Sequence, residues 1–395
     1  MKWMNSAQQS RACNGHFGGY HQLLRVILVC SCLLMSGCAQ SENSSVELRL
    51  VSMVPGASTL PSSIAVKRTG ELAVASATGA PEYAIQYVEI GQSPEIVGVA
   101  GNVEHLEVAL SLAFTQDGRP LIAYTDDRTG DLVFAERTAS GWTTQVVDAT
   151  GQVGYFPSLA VDCADRPHIS YFDNTLNDIK YAHLSSTGWR IETIDAEGLP
   201  GFHIPAGFTQ IALRPEPDQC LAVQPQVAYL AYRYKPYDGE LRFATRHHDG
   251  WRIETVDSTT GAGGFPALTL DPAGNPWISY YRAGTWDYHS GELKVAHRNE
   301  GQWRVDTVDR DGNAGRFSSI AVSAHSMPVV AYYAAKTGDL RVAWWWNGRW
   351  RTQMLVSDGN AGAWVQLAID SQSLAHLTYV DAGVMTTQYA VFLAP

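Results

Sequence analysis

"HISYFDNTLNDIKYAHLSSTGWRIETIDAEG", from His168 to Gly198, returns in altered form as "WISYYRAGTWDYHSGELKVAHRNEGQWRVDTVDRDG" from Trp277 to Gly312. Self-similarity at a fixed period marks stacked structural repeats, so the whole chain is read for it first. Seven units open on an apolar run: "SSIAVKRTGELAVAS" at Ser62, "SLAFTQDGRPLIAYTD" at Ser111, "SLAVDCADRPHISYFD" at Ser158, "TQIALRPEPDQCLAVQPQVAYLAYRY" at Thr209, "ALTLDPAGNPWISYYR" at Ala267, "SIAVSAHSMPVVAYYA" at Ser319 and "QLAIDSQSLAHLTYVD" at Gln366. A spacing of about 50 residues is that of four-stranded propeller blades. The third unit parses into "SLAVD", a turn, "HISYFD", a loop, "DIKYAHL", the turn "SSTG" and "WRIETID". A blade packs on neighbours through both faces, which explains near-continuous apolar runs in place of clean alternation. The last unit supplies three strands and then stops, while "VELRLVSMV" from Val46 has no unit of its own. The chain is therefore predicted to be all-β: residues 46–395 form a seven-bladed β-propeller of four-stranded blades, closed by its N-terminal strand.

The chain has 395 residues, 45% of them hydrophobic and 17% charged, which excludes a disordered protein. Its 39 acidic residues against 28 Lys and Arg exclude nucleic acid as a natural partner. The first 37 residues hold Lys2, Arg11 and Arg25 but no acid, followed by the apolar run "VILVCSCLLM" and then Ser36, Gly37 and Cys38. This pattern reads as a targeting leader, too short for a membrane span. Over five residues, "LMSGC" resembles a bacterial lipobox, with Met35 where Leu is usual. The resemblance implies cleavage before Cys38, lipidation of that cysteine and, with Ala39 after it, the outer membrane. An ordinary signal peptide cut near Ala39 is the alternative. Residues 38–45 would be a polar tether, and the membrane would be touched through the lipid alone. Cys13, Cys30 and Cys32 leave with the leader, and an oxidising envelope then pairs Cys163 with Cys220, in matching loops of blades 3 and 4.

The turn before each fourth strand reads "ASGW", "SSTGW", "HDGW", "NEGQW" and "WNGRW", ending at Trp142, Trp189, Trp251, Trp303 and Trp350. It resembles the Asp-box turn of sialidase-like and BNR-repeat propellers, although the full box is absent and Asp249 is the nearest approach to its acid. The units as a whole are similar to a bacterial family of seven-bladed propeller lipoproteins with "DxxGxPHISYYD…LKYA…W…ETVD" repeats. That likeness implies the fold and no activity. The tryptophans are read as wedges between blades. A column of tyrosines ending the second strands, Tyr124, Tyr171, Tyr232, Tyr280, Tyr332 and Tyr379, is read as packing.

Function is sought where loops depart from the repeat, because loops on a rigid scaffold carry binding groups. Blade-to-blade loops and loops between second and third strands share one face. The loop "DAEGLPGFHIPAGF" introduces His203; "RYKPYDGEL" in blade 4 adds Arg233, Tyr234, Lys235 and Tyr237; "RAGTWDYHSGEL" in blade 5 adds Arg282, Trp286, Tyr288 and His289. Arginine forks grip carboxylate or sulfate, and aromatic faces stack on sugar rings, so this mixture suits an anionic or polyhydroxylated ligand. Two places after the tyrosine column stand Asp126, Asp173, Tyr234, Arg282 and Asp381, a variable rim.

The reading taken forward is a monomeric propeller at the cell envelope that binds a glycan or another surface ligand, with no cofactor. A carbohydrate-active enzyme stays open. Glycoside hydrolysis needs two carboxyl groups, for which Asp126, Asp173 and Asp381 qualify by type. A sialidase would need three arginines, and only Arg233 and Arg282 stand well placed. A polysaccharide lyase would draw base and acid from His203, His289 and Tyr234, with Arg233 and Arg282 neutralising a carboxylate. A protein-interaction scaffold is the third reading. No metal is expected: "DRDGN" at 309–313 lacks the later Glu of a calcium loop, and no His or Cys cluster has zinc spacing.

Overall fold

The computed structural model describes residues 46–55, 57, 61–79, 83–101, 109–196, 208–216, 219–232, 239–284, 289–323, 325–357 and 359–394. The leader and Cys38 lie outside the described residues. The described chain forms twenty-eight strands in seven four-stranded antiparallel sheets, the blades of a seven-bladed propeller. No helix among the described residues is long and apolar enough to cross a membrane.

Ring closure follows the expected route. Blade 7 consists of Ala361–Ile369, Leu374–Asp381 and Thr386–Leu393, and its fourth, outermost strand is Arg49–Met53, antiparallel to Thr386–Leu393. The side chains of that strand are exposed, so its flanks anchor it. Val46 is buried in the core shared by blades 6 and 7, and Gln353 brackets it, accepting from its N–H at 2.7 Å and donating to its carbonyl at 2.5 Å. Val54 is buried at the next seam with Ile64 and Tyr389. One segment thus stitches blade 6 to blade 7 and blade 7 to blade 1.

The repeated words are the seams between blades. Nearest the axis, Ser63, Ser111, Ser158 and Ser319 accept through Oγ from the backbone N–H of Leu112, Leu159, Ile211 and Leu367 in the following blade, at 3.0 to 3.1 Å. At mid-radius, the Asp that ends one outer strand accepts from a tyrosine hydroxyl of the next blade: Tyr171 to Asp148, Tyr229 to Asp195, Tyr280 to Asp257 and Tyr332 to Asp309, at 2.5 to 2.7 Å. A cation from the third strand of the same following blade joins each pair: Lys180, Arg242, Lys294 or Arg341. Burial opposes the charge on Asp257, but hydrogen bonds from Tyr280 and Thr259 outweigh it and hold the carboxyl below its usual range. At the outer edge, Trp142, Trp251, Trp303 and Trp350 donate to Glu95, Glu192, Glu254 and Asp306 of the preceding blade. Trp142, Trp189, Trp251 and Trp303 also set their rings edge-on to Tyr87, Phe134, Tyr181 and Phe243.

One member of the tyrosine column is corrected. In blade 4 the residue that pairs with the third-strand cation Arg242 and reaches the seam is Tyr229, whereas the backbone of Tyr232 pairs with Gly239. The stretch "VAYLAYRY" offers three tyrosines close together, and the second strand is extended to Gln219–Tyr232. The match to "VAYY" in blade 6 identifies the right one. The rim position two places on is therefore Ala231, which pairs with Glu240, and Tyr234 loses its place in that series.

Histidine is also used structurally: His168 places Nδ1 2.5 Å from the Tyr181 hydroxyl and Nε2 3.3 Å from Asp162, and His376 repeats this with Tyr389 and Asp370. Burial pulls His168 down to about 4, so it is neutral near pH 7.

Replacing Tyr280 by Phe leaves buried Asp257 short of a donor and is expected to cost about 1–3 kcal/mol in urea unfolding. Tyr379→Phe serves as the control, because blade 6 ends its outer strand on Val356 where blades 2 to 5 carry Asp. It should cost less than about 0.5 kcal/mol. Equal losses for the two variants would show that the Tyr–Asp bond is not what holds the seam.

Candidate functional site

Loops that return the chain from one blade to the axis of the next share a local device. Gly154, Gly315 and Gly362 have φ of 82°, 104° and 115°, and a Cβ on them would lie 2.6, 2.7 and 3.0 Å from the backbone of Leu132, Leu293 and Leu340. Only glycine lets the loop pass this close to the preceding blade. Two residues later the chain bulges: register shifts at 155–158, 264–267, 316–319 and 363–366. Within these bulges Phe156, Phe265, Phe317 and Trp364 all have left-handed backbones, with φ between 48° and 53°. For a bulky side chain that conformation costs about 1–3 kcal/mol each.

The bulges swing the aromatic rings over the mouth of the central channel, on the face of the blade-to-blade loops. Phe208 of blade 4 joins them. Successive centroids lie 4.2 Å apart from Phe156 to Phe208, 4.8 Å to Phe265, 4.6 Å to Phe317 and 4.2 Å to Trp364. Phe208 also faces Trp364 across the mouth at 6.5 Å. In blades 1 and 2 the matching positions are Pro61 and Ala109, so the collar is a horseshoe with a smooth gap. All five rings except Phe156 are partly exposed. They line a cavity of about 110 Å³.

Polar groups in the lining divide into two kinds. The hydroxyls are spent on neighbours: Ser62 on Thr378 at 3.0 Å, Thr209 on Ser170 at 2.8 Å and Ser318 on Ser279 at 2.9 Å. The side-chain amides of Gln210 and Gln366 line the cavity and find no hydrogen-bond partner among the described residues. Behind the rings, the Tyr281 hydroxyl donates to Asn313 Oδ1 at 2.7 Å, and that of Tyr333 donates to Asn360 Oδ1, fixing the loops. Among the described residues, no Asp, Glu, His, Lys, Arg, Cys or Tyr lines the cavity. No group of His, Cys, Asp and Glu suited to a metal ion occurs among the described residues.

None of the residues singled out from the sequence is among the described lining of this cavity. His203, Arg233, Tyr234, Lys235, Tyr237, Trp286 and Tyr288 lie outside the described residues. His289 is exposed at the end of its loop. Arg282 reaches Glu292 at 3.1 Å, and Glu292 also meets Lys294 and Arg310. Asp126 holds Arg128 through backbone and guanidinium, Asp173 accepts from the N–H of Thr175 and Leu176 and pairs with Lys180 at 2.7 Å, and Asp381 accepts from the N–H of Gly383. Each carboxylate is engaged with its own turn. Burial and the neighbouring Asp173 charge push the Asp178 carboxyl up. Cys163 is disulfide-bonded, and the side chain of Cys220 lies outside the described residues.

The collar was missed because attention went to long loops. Its signal is an aromatic two places before the first-strand Ser, Gln or Ala, in "FPS", "FTQ", "FPA", "FSS" and "WVQ".

No protein-family model and no curated protein sequence matches the chain. Solved structures do. A polysaccharide lyase of family PL25, an ulvan lyase bound to -[GlcA(1-4)Rha3S]-, aligns with a TM-score of 0.59 at 11% identity, over 86% of this chain and 95% of that one. The BP39L lectin from Burkholderia pseudomallei aligns with a TM-score of 0.58 at 14% identity, over 86% and 96%. AofleA from Arthrobotrys oligospora aligns with a TM-score of 0.50 at 12% identity, over 81% and 92%. At these identities the likeness establishes the propeller fold.

Proposed function

We propose that the protein binds a glycan at the aromatic mouth of its channel and performs no chemistry there. The carrying observation is that four bulky aromatics accept a left-handed backbone to stand, mostly part-exposed, around one cavity. Glycine or asparagine would take that backbone at little cost if the loops needed only to turn. Strain held at a concave, solvent-facing site is the pattern of a ligand clamp. Rings of this kind stack on the C–H faces of a sugar, while the open amides of Gln210 and Gln366 exchange hydrogen bonds with its hydroxyls.

The lining favours grip over catalysis, since the described residues place no acid or base within it. Arg282, needed by a lyase, is engaged by Glu292. That the fold is shared with a lectin and a glycan-cleaving enzyme supports a carbohydrate ligand without selecting one. The lipobox-like "LMSGC" supports a lipid-anchored protein at the envelope, facing an outer-membrane ligand or partner. An oxidising compartment supports Cys220 as the partner of Cys163.

A glycan and polysaccharide screen is expected to show retention of at least one glycan with no new unsaturated ends. Trp364→Ala should weaken that binding about tenfold and Gln366→Ala severalfold, with melting temperatures unchanged within a few degrees. Wild-type affinity in both variants would remove the mouth as the site. For the anchor, labelling cells with a clickable palmitate is expected to tag the wild-type protein and not Cys38→Ser; equal labelling would refute lipidation at that cysteine.

A further inference from the structure

We infer that the mouth selects an anionic glycan, one bearing carboxylate or sulfate, through Arg316; this rests on the glycan reading above. Arg316 occupies the bulge position directly before Phe317, where the other blades carry Tyr155, Gly264 or Ala363. Its guanidinium carbon stands 5.7 Å from the Phe317 ring and 5.9 Å from the Phe265 ring, so it abuts the collar beside the residues that line the cavity. Its Nε is buried with no hydrogen-bond partner. No carboxylate among the described residues forms an ion pair with it.

Most other cations described on this rim are paired. Arg282 and Arg310 are paired with Glu292, Lys180 with Asp148 and Asp173, and Arg242 with Asp195 and Glu240. Arg341, on the third strand of blade 6, already holds both Asp309 of blade 5 and Asp339 of blade 6. Asp311 is exposed on the adjoining loop, and its backbone carbonyl accepts from Arg341 Nη1 at 3.1 Å. Lys336 is exposed on the turn between the second and third strands of the same blade, and its backbone N–H donates to Gly312 of the loop that leads into Arg316. Among the described residues, two cations without an ion pair therefore lie in blade 6 on this face, in a protein of net charge −11.

A guanidinium stacked on aromatic rings keeps its charge and its fork of donors while its flat face is desolvated. An anionic group entering beside a stacked sugar ring would receive charge-assisted hydrogen bonds in a partly dry site, where they are strongest. A neutral sugar would gain the stacking and lose this part.

The test measures binding of the full mature protein to three probes by calorimetry: an oligogalacturonate, a sulfated dextran oligomer, and the carboxyl-reduced form of the oligogalacturonate. The expected result is at least tenfold tighter binding of one charged probe than of the reduced probe, a preference that shrinks in 0.5 M salt. Which charged probe leads tells carboxylate from sulfate. Arg316→Gln should bring the charged affinity down to that of the neutral probe, and Arg316→Lys should restore part of the difference. Equal wild-type affinity for charged and reduced probes, or a preference that survives Arg316→Gln, would overturn the anionic inference and leave the glycan reading standing. Failure of the wild type to bind any of the three, together with a blank broad screen, would remove both.

Discussion

A propeller blade buries neither of its faces by itself, so each seam between blades has to be both apolar and specific. Here the specificity rests on one contact, an aspartate at the end of an outer strand that receives a tyrosine hydroxyl and a basic side chain from the next blade. Buried charge is costly unless it is paired and hydrogen-bonded, and this arrangement supplies both. It recurs at four seams. Where it lapses, other devices serve, among them the bracket of Gln353 around Val46. With the seams fixed, the axial ends of seven sheets are held in a ring rigid enough to bear strained loops at the mouth.

Most of the fold was legible because these contacts recur as words. The "SY", the basic residue, the tryptophan and the closing Asp of "ETID" in blade 3 are the residues that meet across seams. The absent strand of blade 7 pointed to the orphan segment at Val46. Blade 4 was harder: three tyrosines in "VAYLAYRY" compete for one position, and the pairing of Tyr229 with Arg242 agrees with the match to "VAYY" in blade 6.

The site was less legible for a physical reason. Sequence reading expects function where a loop grows, and so it favoured the insertions at 233–238 and 285–288. Four of the five collar rings instead come from loops of ordinary length, made distinctive by backbone conformation. A left-handed Phe or Trp looks like any other apolar residue in a string of letters. Only when the register shifts at 316–319 and 363–366 are known does it become clear that Phe317 and Trp364 leave the sheet and turn toward the axis. Asp126, Asp173 and Asp381 stand in a variable rim by sequence, and each carboxylate caps its own turn by accepting from the N–H two residues on.

The account stands on the claim that the ligand sits at the collared mouth and not on the opposite face, where the tryptophan turns lie. Hydrogen–deuterium exchange with and without saturating glycan tests this most directly. The account predicts slower exchange in segments 208–211, 315–319 and 362–366, with the turns at 247–251 and 299–303 unchanged. Protection confined to those turns, or spread evenly around the ring, would contradict it.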